Sequence, residues 1–242
     1  MAKTVYWAVS NISNMSPLSK SLYEQPEPLS NVNTFTSFRA EQKHNNFRLC
    51  PAYLDHIHNT FRLKFPIDYD LVFDTQGVGS SHYDNDFFNY FVSMRDFDSR
   101  YFGFKVNLIF FAEEELTMSL MPPYLENTSL ATDVVSLPGT FNIGKWFRPI
   151  DYACFLNPGR NKIEIKKGDA FNYVKFHTDD KVELVQFDYV EELENIQKDI
   201  LRSKMILGSA SPKLDYFYKM FKNSRYKKKI LNIIKHNILE EQ

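Results

Sequence analysis

Five residues in the second half of the sequence have side chains suited to binding a small ligand. They are Trp146, Arg148, Tyr152, Tyr173 and Lys175. A guanidinium group holds a carboxylate through two parallel hydrogen bonds, and aromatic rings stack on a sugar or a base. These residues are therefore candidates for a ligand site. The alternative is that the aromatic rings belong to the core and that Arg148 caps a loop.

Three other residues have the types found in an iron-binding facial triad. His82 and Asp84 form a His-x-Asp pair, and His177 is a second histidine further along the chain. Two histidines and one carboxylate hold Fe(II) in non-haem oxygenases. The 2-oxoglutarate members also need a basic residue on the strand after the distal histidine, where only Lys181 lies, in a predicted turn. We therefore expect no cofactor and expect all three residues to cap turns. The alternative is an Fe(II)-dependent oxygenase-like enzyme that uses them as metal ligands.

The last thirty residues carry a dense run of bases. No acid interrupts the stretch between Asp215 and Glu240, and the candidates for contact with phosphate are Lys222, Arg225, Lys227, Lys228 and Lys229. A basic helical face binds nucleic acid through charge, or it is a solvated surface that balances acids elsewhere. We favour the solvated surface. Nucleic acid is then a less favoured partner than an unknown small molecule or protein.

Composition and charge set the broad class of the protein. The chain has 242 residues and a net charge of −1, so it suits one domain and is not a general polyanion binder. A hydrophobic fraction of 43% is enough for a core, and an aromatic fraction of 16% favours β-structure. Cys50 and Cys154 lie far apart, which predicts two free, buried thiols in a reducing compartment. With no apolar run long enough to cross a bilayer, we expect a cytoplasmic protein with no membrane partner.

Short predicted strands between residues 105 and 189 position most of these candidates. They recur about every 8–12 residues and are separated by turn residues, which is typical of a β-sandwich or barrel. We predict a strand-and-loop extension over 1–104 packed on a β-core over 105–189, followed by C-terminal helices over 190–242. Residues 87–94 suit a strand or a helix equally. The predicted interior of the core includes Phe110, Phe155, Val174, Phe176 and Leu184.

Several short pieces of the sequence resemble a family of uncharacterised proteins from large tailed phages and marine bacteria. The pieces are Cys50-Pro51-Ala52, Pro66-Ile67-Asp68, Arg148-Pro149, Gly168-Asp169, the run from Tyr173 to Thr178, and Arg225-Tyr226-Lys227-Lys228. The resemblance implies a cupin-like double-stranded β-helix, or jelly roll, within a mainly β fold. It also implies a phage-type accessory or binding protein in the host cytoplasm. It brings no catalytic residues, so enzymatic activity stays open.

Overall fold

The structure, a computed structural model, describes residues 2–10, 20–31, 50–74, 77–96, 101–206 and 213–239. The strands in these ranges are β1 Lys3–Val9, β2 Glu27–Pro28, β3 Thr60–Lys64, β4 Tyr69–Asp74, β5 Gly77–Gly79, β6 Val92–Asp96, β7 Tyr101–Phe111, β8 Thr117–Met121, β9 Val134–Ser136, β10 Gly139–Asn142, β11 Pro149–Leu156, β12 Lys162–Ile165, β13 Ala170–Phe176 and β14 Val182–Gln186. The α-helices are α1 Pro51–Ile57, α2 Asn85–Phe91, α3 Ser129–Thr132, α4 Glu191–Ile206, α5 Leu214–Asn223 and α6 Tyr226–His236. The predicted mainly β class is confirmed.

The strands form three sheets. The first has the order β14-β1-β7-β11-β9, with β6 also paired to β7; the second is β10-β8-β13-β3-β2, and the third is β12-β4-β5. Strands pair antiparallel except β1 and β14, which run parallel. Strands from the first 104 residues take part in every sheet. The division of the chain at residues 104 and 189 stays a prediction.

The inward faces of the three sheets share one hydrophobic core, which makes the fold sandwich-like. Side chains alternate between the two faces of a strand, so the even-numbered residues of β7 from Phe102 to Phe110 point into this core. Residues of the second sheet meet them, and Phe65 stacks on Phe171 with ring centroids 3.5 Å apart. Four of the five predicted interior residues lie here, namely Phe110, Val174, Phe176 and Leu184.

The predicted C-terminal helices cover the outer face of the first sheet. Ile109 and Phe111 of β7 point to that face, where they join a second cluster with Leu193 and Ile196 of α4 and Ile234 of α6. An amphipathic helix needs such an apolar surface to cover its own apolar stripe. None of the helices in the described ranges combines the length and apolar character needed to span a bilayer.

Two predictions about individual side chains are wrong. Phe155 is half-buried and faces away from the core, because the alternation along β11 points Tyr152, Cys154 and Leu156 inward instead. Cys50, predicted to be buried, is exposed just before α1, whereas Cys154 is buried and both thiols are free. Burial raises the pKa of the Cys154 thiol to about 12, so it stays protonated at neutral pH.

Candidate functional site

The Arg148 guanidinium lies between two aromatic rings. Its Cζ is 5.4 Å from the ring centroid of Trp146 and 5.6 Å from that of Phe141. Contacts of this kind attract a cation to the negative face of the ring. The Nε group donates a hydrogen bond to the Pro149 carbonyl at 3.3 Å. No carboxylate of the described residues forms an ion pair with Arg148. Its positive charge therefore interacts mainly with the two aromatic rings.

Burial dominates the electrostatics of this arginine. It lowers the pKa of Arg148, and the carboxylate of Asp151 opposes that shift from beyond ion-pair distance. A guanidinium group stays charged in a protein even when it is partly desolvated. A desolvated cation without an ion-pair partner favours binding of an anion, which would restore the lost electrostatic interaction.

An ion pair lies next to Arg148 on the outer face of the first sheet. Arg95 of β6 pairs with Asp151 of β11, and Gly103 of β7 lies between them in the sheet. A Cβ on Gly103 would come 3.0 Å from both Arg95 Nε and Asp151 Oδ1, so glycine leaves the room for this pair. The second oxygen of Asp151, Oδ1, is enclosed and accepts no hydrogen bond from the described residues.

These groups line a cleft of about 300 Å³, which we call the Arg148 cleft. It lies where the β9–β10 turn crosses from the first sheet to the second, beside the start of α5. Its charged groups are Arg95, Arg148 and Asp151, and its apolar wall consists of Leu137, Pro138, Phe141, Trp146 and Leu214. Two cations, one anion and an apolar wall suit a small anionic ligand with a hydrophobic part.

Of the five residues predicted for a ligand site, the structure brings Trp146 and Arg148 together in the cleft. Tyr152 lies in the core. Tyr173 and Lys175 lie on the outer face of the second sheet, where the Tyr173 hydroxyl donates to Glu126 and Lys175 Nζ donates to carbonyls at the end of α1. The sequence analysis missed Arg95, Phe141 and Asp151. Strand pairing through β7 brings Arg95 near Arg148, whereas Asp151 is already close to Arg148 in sequence.

The three residues of the predicted metal triad have separate partners. His82 Nδ1 lies 3.0 Å from Asp70 Oδ1, and Asp84 caps α2 by accepting a hydrogen bond from Phe87 N at 2.8 Å. His177 Nε2 lies 2.7 Å from Ser119 Oγ on the second sheet. Within the described ranges, no group of three His, Cys, Asp or Glu side chains is arranged to hold a metal ion. The iron site and the oxygenase alternative stay predictions.

Asp70 anchors the loop that contains His82. Its side chain is 4% exposed and accepts hydrogen bonds from Ser80 Oγ at 2.6 Å and from the backbone and hydroxyl of Ser81. Burial alone would raise the pKa of Asp70, but these hydrogen bonds and the one from His82 hold it well below its usual range. In the sequence, the run of hydrogen-bond donors Ser80-Ser81-His82 is the feature that could have indicated a buried acceptor such as the Asp70 carboxylate.

Replacing Asp70 with asparagine is expected to lower the free energy of unfolding by about 1.5–3 kcal/mol at pH 7, since charge-assisted hydrogen bonds are lost. The depressed pKa means that the carboxylate stabilises the fold above its unfolded-state pKa of about 4. That contribution is lost as the pH falls through the folded-state pKa. Urea titrations at pH 7 and pH 2.5 should therefore show a smaller difference between variant and wild type in acid.

The exposed Asp55 provides the control for this prediction. Asp55→Asn should change the free energy of unfolding by no more than about 0.5 kcal/mol at either pH. A difference between D70N and the wild type that grows as the pH falls would contradict the role given to Asp70.

The bases predicted for nucleic acid lie at the end of α5 and the start of α6. Lys222 is in the last turn of α5, Arg225 precedes α6, and Lys227, Lys228 and Lys229 occupy the first turn of α6. Acids balance part of this surface, because Lys229 pairs with Glu192 at 2.8 Å and Lys235 pairs with Glu113 at 2.8 Å. Burial also lowers the pKa of Lys227. Nucleic-acid binding stays a prediction, and the ion pairs favour the solvated-surface alternative.

Comparison with protein-family models, with curated proteins and with solved structures found no match for this chain. The resemblance to proteins of large tailed phages and marine bacteria stays a prediction.

Proposed function

We propose that this protein is a binding protein that takes a small anionic ligand in the Arg148 cleft. One observation carries the proposal: a partly desolvated guanidinium, held between Trp146 and Phe141, has no ion-pair partner among the described residues. The neighbouring Asp151 is already paired with Arg95. A bound anion would supply the charge and the hydrogen-bond acceptors that Arg148 lacks.

The resemblance stated for the sequence extends this proposal. It adds a cupin-like jelly-roll topology for the mainly β fold and a phage-type accessory role in a host cytoplasm. The mostly antiparallel sheets with a shared core support the first part, because jelly rolls are sandwich-like folds built from antiparallel strands. No cofactor takes part in the proposed binding function.

The proposal is tested by tryptophan fluorescence. The chain has two tryptophans, and both are buried, but only Trp146 lines the cleft, so a ligand there should perturb Trp146. A panel of acetate, octanoate, phosphate and sulfate is titrated against chloride at matched ionic strength. At least one anion should give a saturable change that disappears in Trp146→Phe and weakens about tenfold or more in Arg148→Gln.

Arg225→Gln is the matched control, since it removes the same charge from the residue before α6, outside the cleft. It should leave the titration unchanged. An anion response that is equal in wild type, R148Q and R225Q would show that the cleft is not the binding site.

A further inference from the structure

We infer that the ligand of the Arg148 cleft is a monocarboxylate with an apolar body. This inference rests on the proposed function and specifies its ligand class. Three features of the cleft support this inference: the net charge of its lining, the terminal nitrogens of the Arg148 guanidinium, and the apolar wall.

The lining charge suits a monoanion. Arg95, Arg148 and Asp151 are the charged residues that line the cleft in the described part of the chain, and they leave one net positive charge. A dianionic phosphate would bring a second negative charge close to Asp151, where like charges repel. A single carboxylate balances the cleft without this cost.

Among the described residues, Arg148 donates one hydrogen bond, from Nε, and its terminal nitrogens donate none. Phe141 and Trp146 pack against the guanidinium, and Nε is engaged with the Pro149 carbonyl. The terminal nitrogens therefore present their donors along the edge of the group. A planar carboxylate matches this edge with two parallel hydrogen bonds.

The remaining wall selects a hydrophobic body. Leu137, Pro138 and Leu214 line the cleft beyond the charged groups. Burying apolar surface against them strengthens the binding of a ligand that has a hydrophobic body. The volume of about 300 Å³ is at the lower end of the range for small-molecule pockets. A medium-chain or small aromatic carboxylate fits this space, whereas acetate leaves the wall uncovered.

Calorimetric titration with four probes tests the inference. Octanoate supplies both features, octanamide keeps the body without the charge, acetate keeps the charge without the body, and octyl phosphate exchanges the carboxylate for a phosphate. Octanoate should bind wild type about tenfold or more tightly than each of the other three. Its affinity should fall about tenfold or more in Arg148→Gln and stay within about twofold in Arg225→Gln.

A second variant tests the apolar wall independently of the charge. Leu214 is 42% exposed at the start of α5, so Leu214→Ala should leave the fold intact. The substitution should weaken octanoate binding several-fold and leave acetate binding unchanged, because it removes apolar surface and no charge. It also keeps the inference testable if R148Q fails to fold, as judged by its thermal unfolding.

The outcomes separate the inference from the proposed function. Tighter binding of octyl phosphate than of octanoate, still dependent on Arg148, would overturn the carboxylate class and leave an anion-binding cleft. Equal binding of octanoate and octanamide would also overturn the inference. If none of the anions responds to Arg148→Gln, the proposed function itself is wrong.

Discussion

Replacing Phe104 with alanine is expected to lower the free energy of unfolding by about 3–5 kcal/mol, the range for truncating a fully buried phenylalanine. Phe104 is 0% exposed at the centre of the shared core. Its ring meets Phe102, Phe65 and Phe171 edge to face at centroid distances of 5.3, 5.5 and 6.0 Å. Truncation removes the buried surface and these three ring contacts together, and a urea titration measures the loss.

Phe155 is the matched control for Phe104. It is a phenylalanine on the adjacent strand β11, half-buried on the opposite face, with its ring 4.9 Å from that of Tyr101. Phe155→Ala should cost about 1 kcal/mol, the ordinary cost of a point substitution. A larger loss for Phe155→Ala than for Phe104→Ala would mean that the two faces of the first sheet are assigned the wrong way round.

Gly144→Ala is expected to cost about 3 kcal/mol or more, at or above the upper end for overpacking. Gly144 follows β10, where the Ile143 amide donates to the Leu116 carbonyl and holds the two segments together. A Cβ at this position would lie 1.9 Å from the Glu114 carbonyl oxygen and 2.7 Å from its carbon. Both are backbone atoms, so no side-chain rotation relieves the clash. Thermal and urea unfolding of the variant measure the effect.

Gly79→Ala provides the comparison, because nothing lies within 4 Å of a Cβ built on Gly79. It should shift the free energy of unfolding by about 0.5 kcal/mol or less. A Gly144→Ala variant as stable as Gly79→Ala would show that the segment after β10 does not approach the backbone at Glu114.

The hydrophobic pattern of the sequence was sufficient to predict the fold class and the C-terminal helices. Helical spacing of apolar residues predicted C-terminal helices after residue 190, and α4, α5 and α6 lie there. The pattern was insufficient for β11, because its alternation defines two faces without saying which is buried. Phe155 is more apolar than Tyr152, yet Tyr152 and its neighbours on the same face point inward. Packing against β7 decides this, and it depends on residues far away in sequence.

The candidate site was predictable only where its residues are close in sequence. Trp146 and Arg148 are two positions apart, and their types indicated a ligand site. Arg95 and Asp151 are 56 residues apart, and they meet because β6 and β11 pair with opposite edges of β7. The register of β7 and β11 also shifts between Pro149 and Asp151, opposite Asn107, whose φ of 56° is left-handed. Such an irregularity leaves little trace in a sequence, since asparagine tolerates this conformation without glycine.

The parallel pairing of β1 with β14 sets an order of events during synthesis of the chain. Lys3 pairs with Val182, and β7 lies on the other side of β1, so this strand has both neighbours only after residue 186 has been made. At about 5–20 residues per second, the ribosome needs about ten seconds or more to reach that point. During this time Val5, Trp7 and Val9 have no completed core to enter. Strand β1 is therefore enclosed long after it is made, and its apolar residues stay uncovered on the nascent chain until β14 follows.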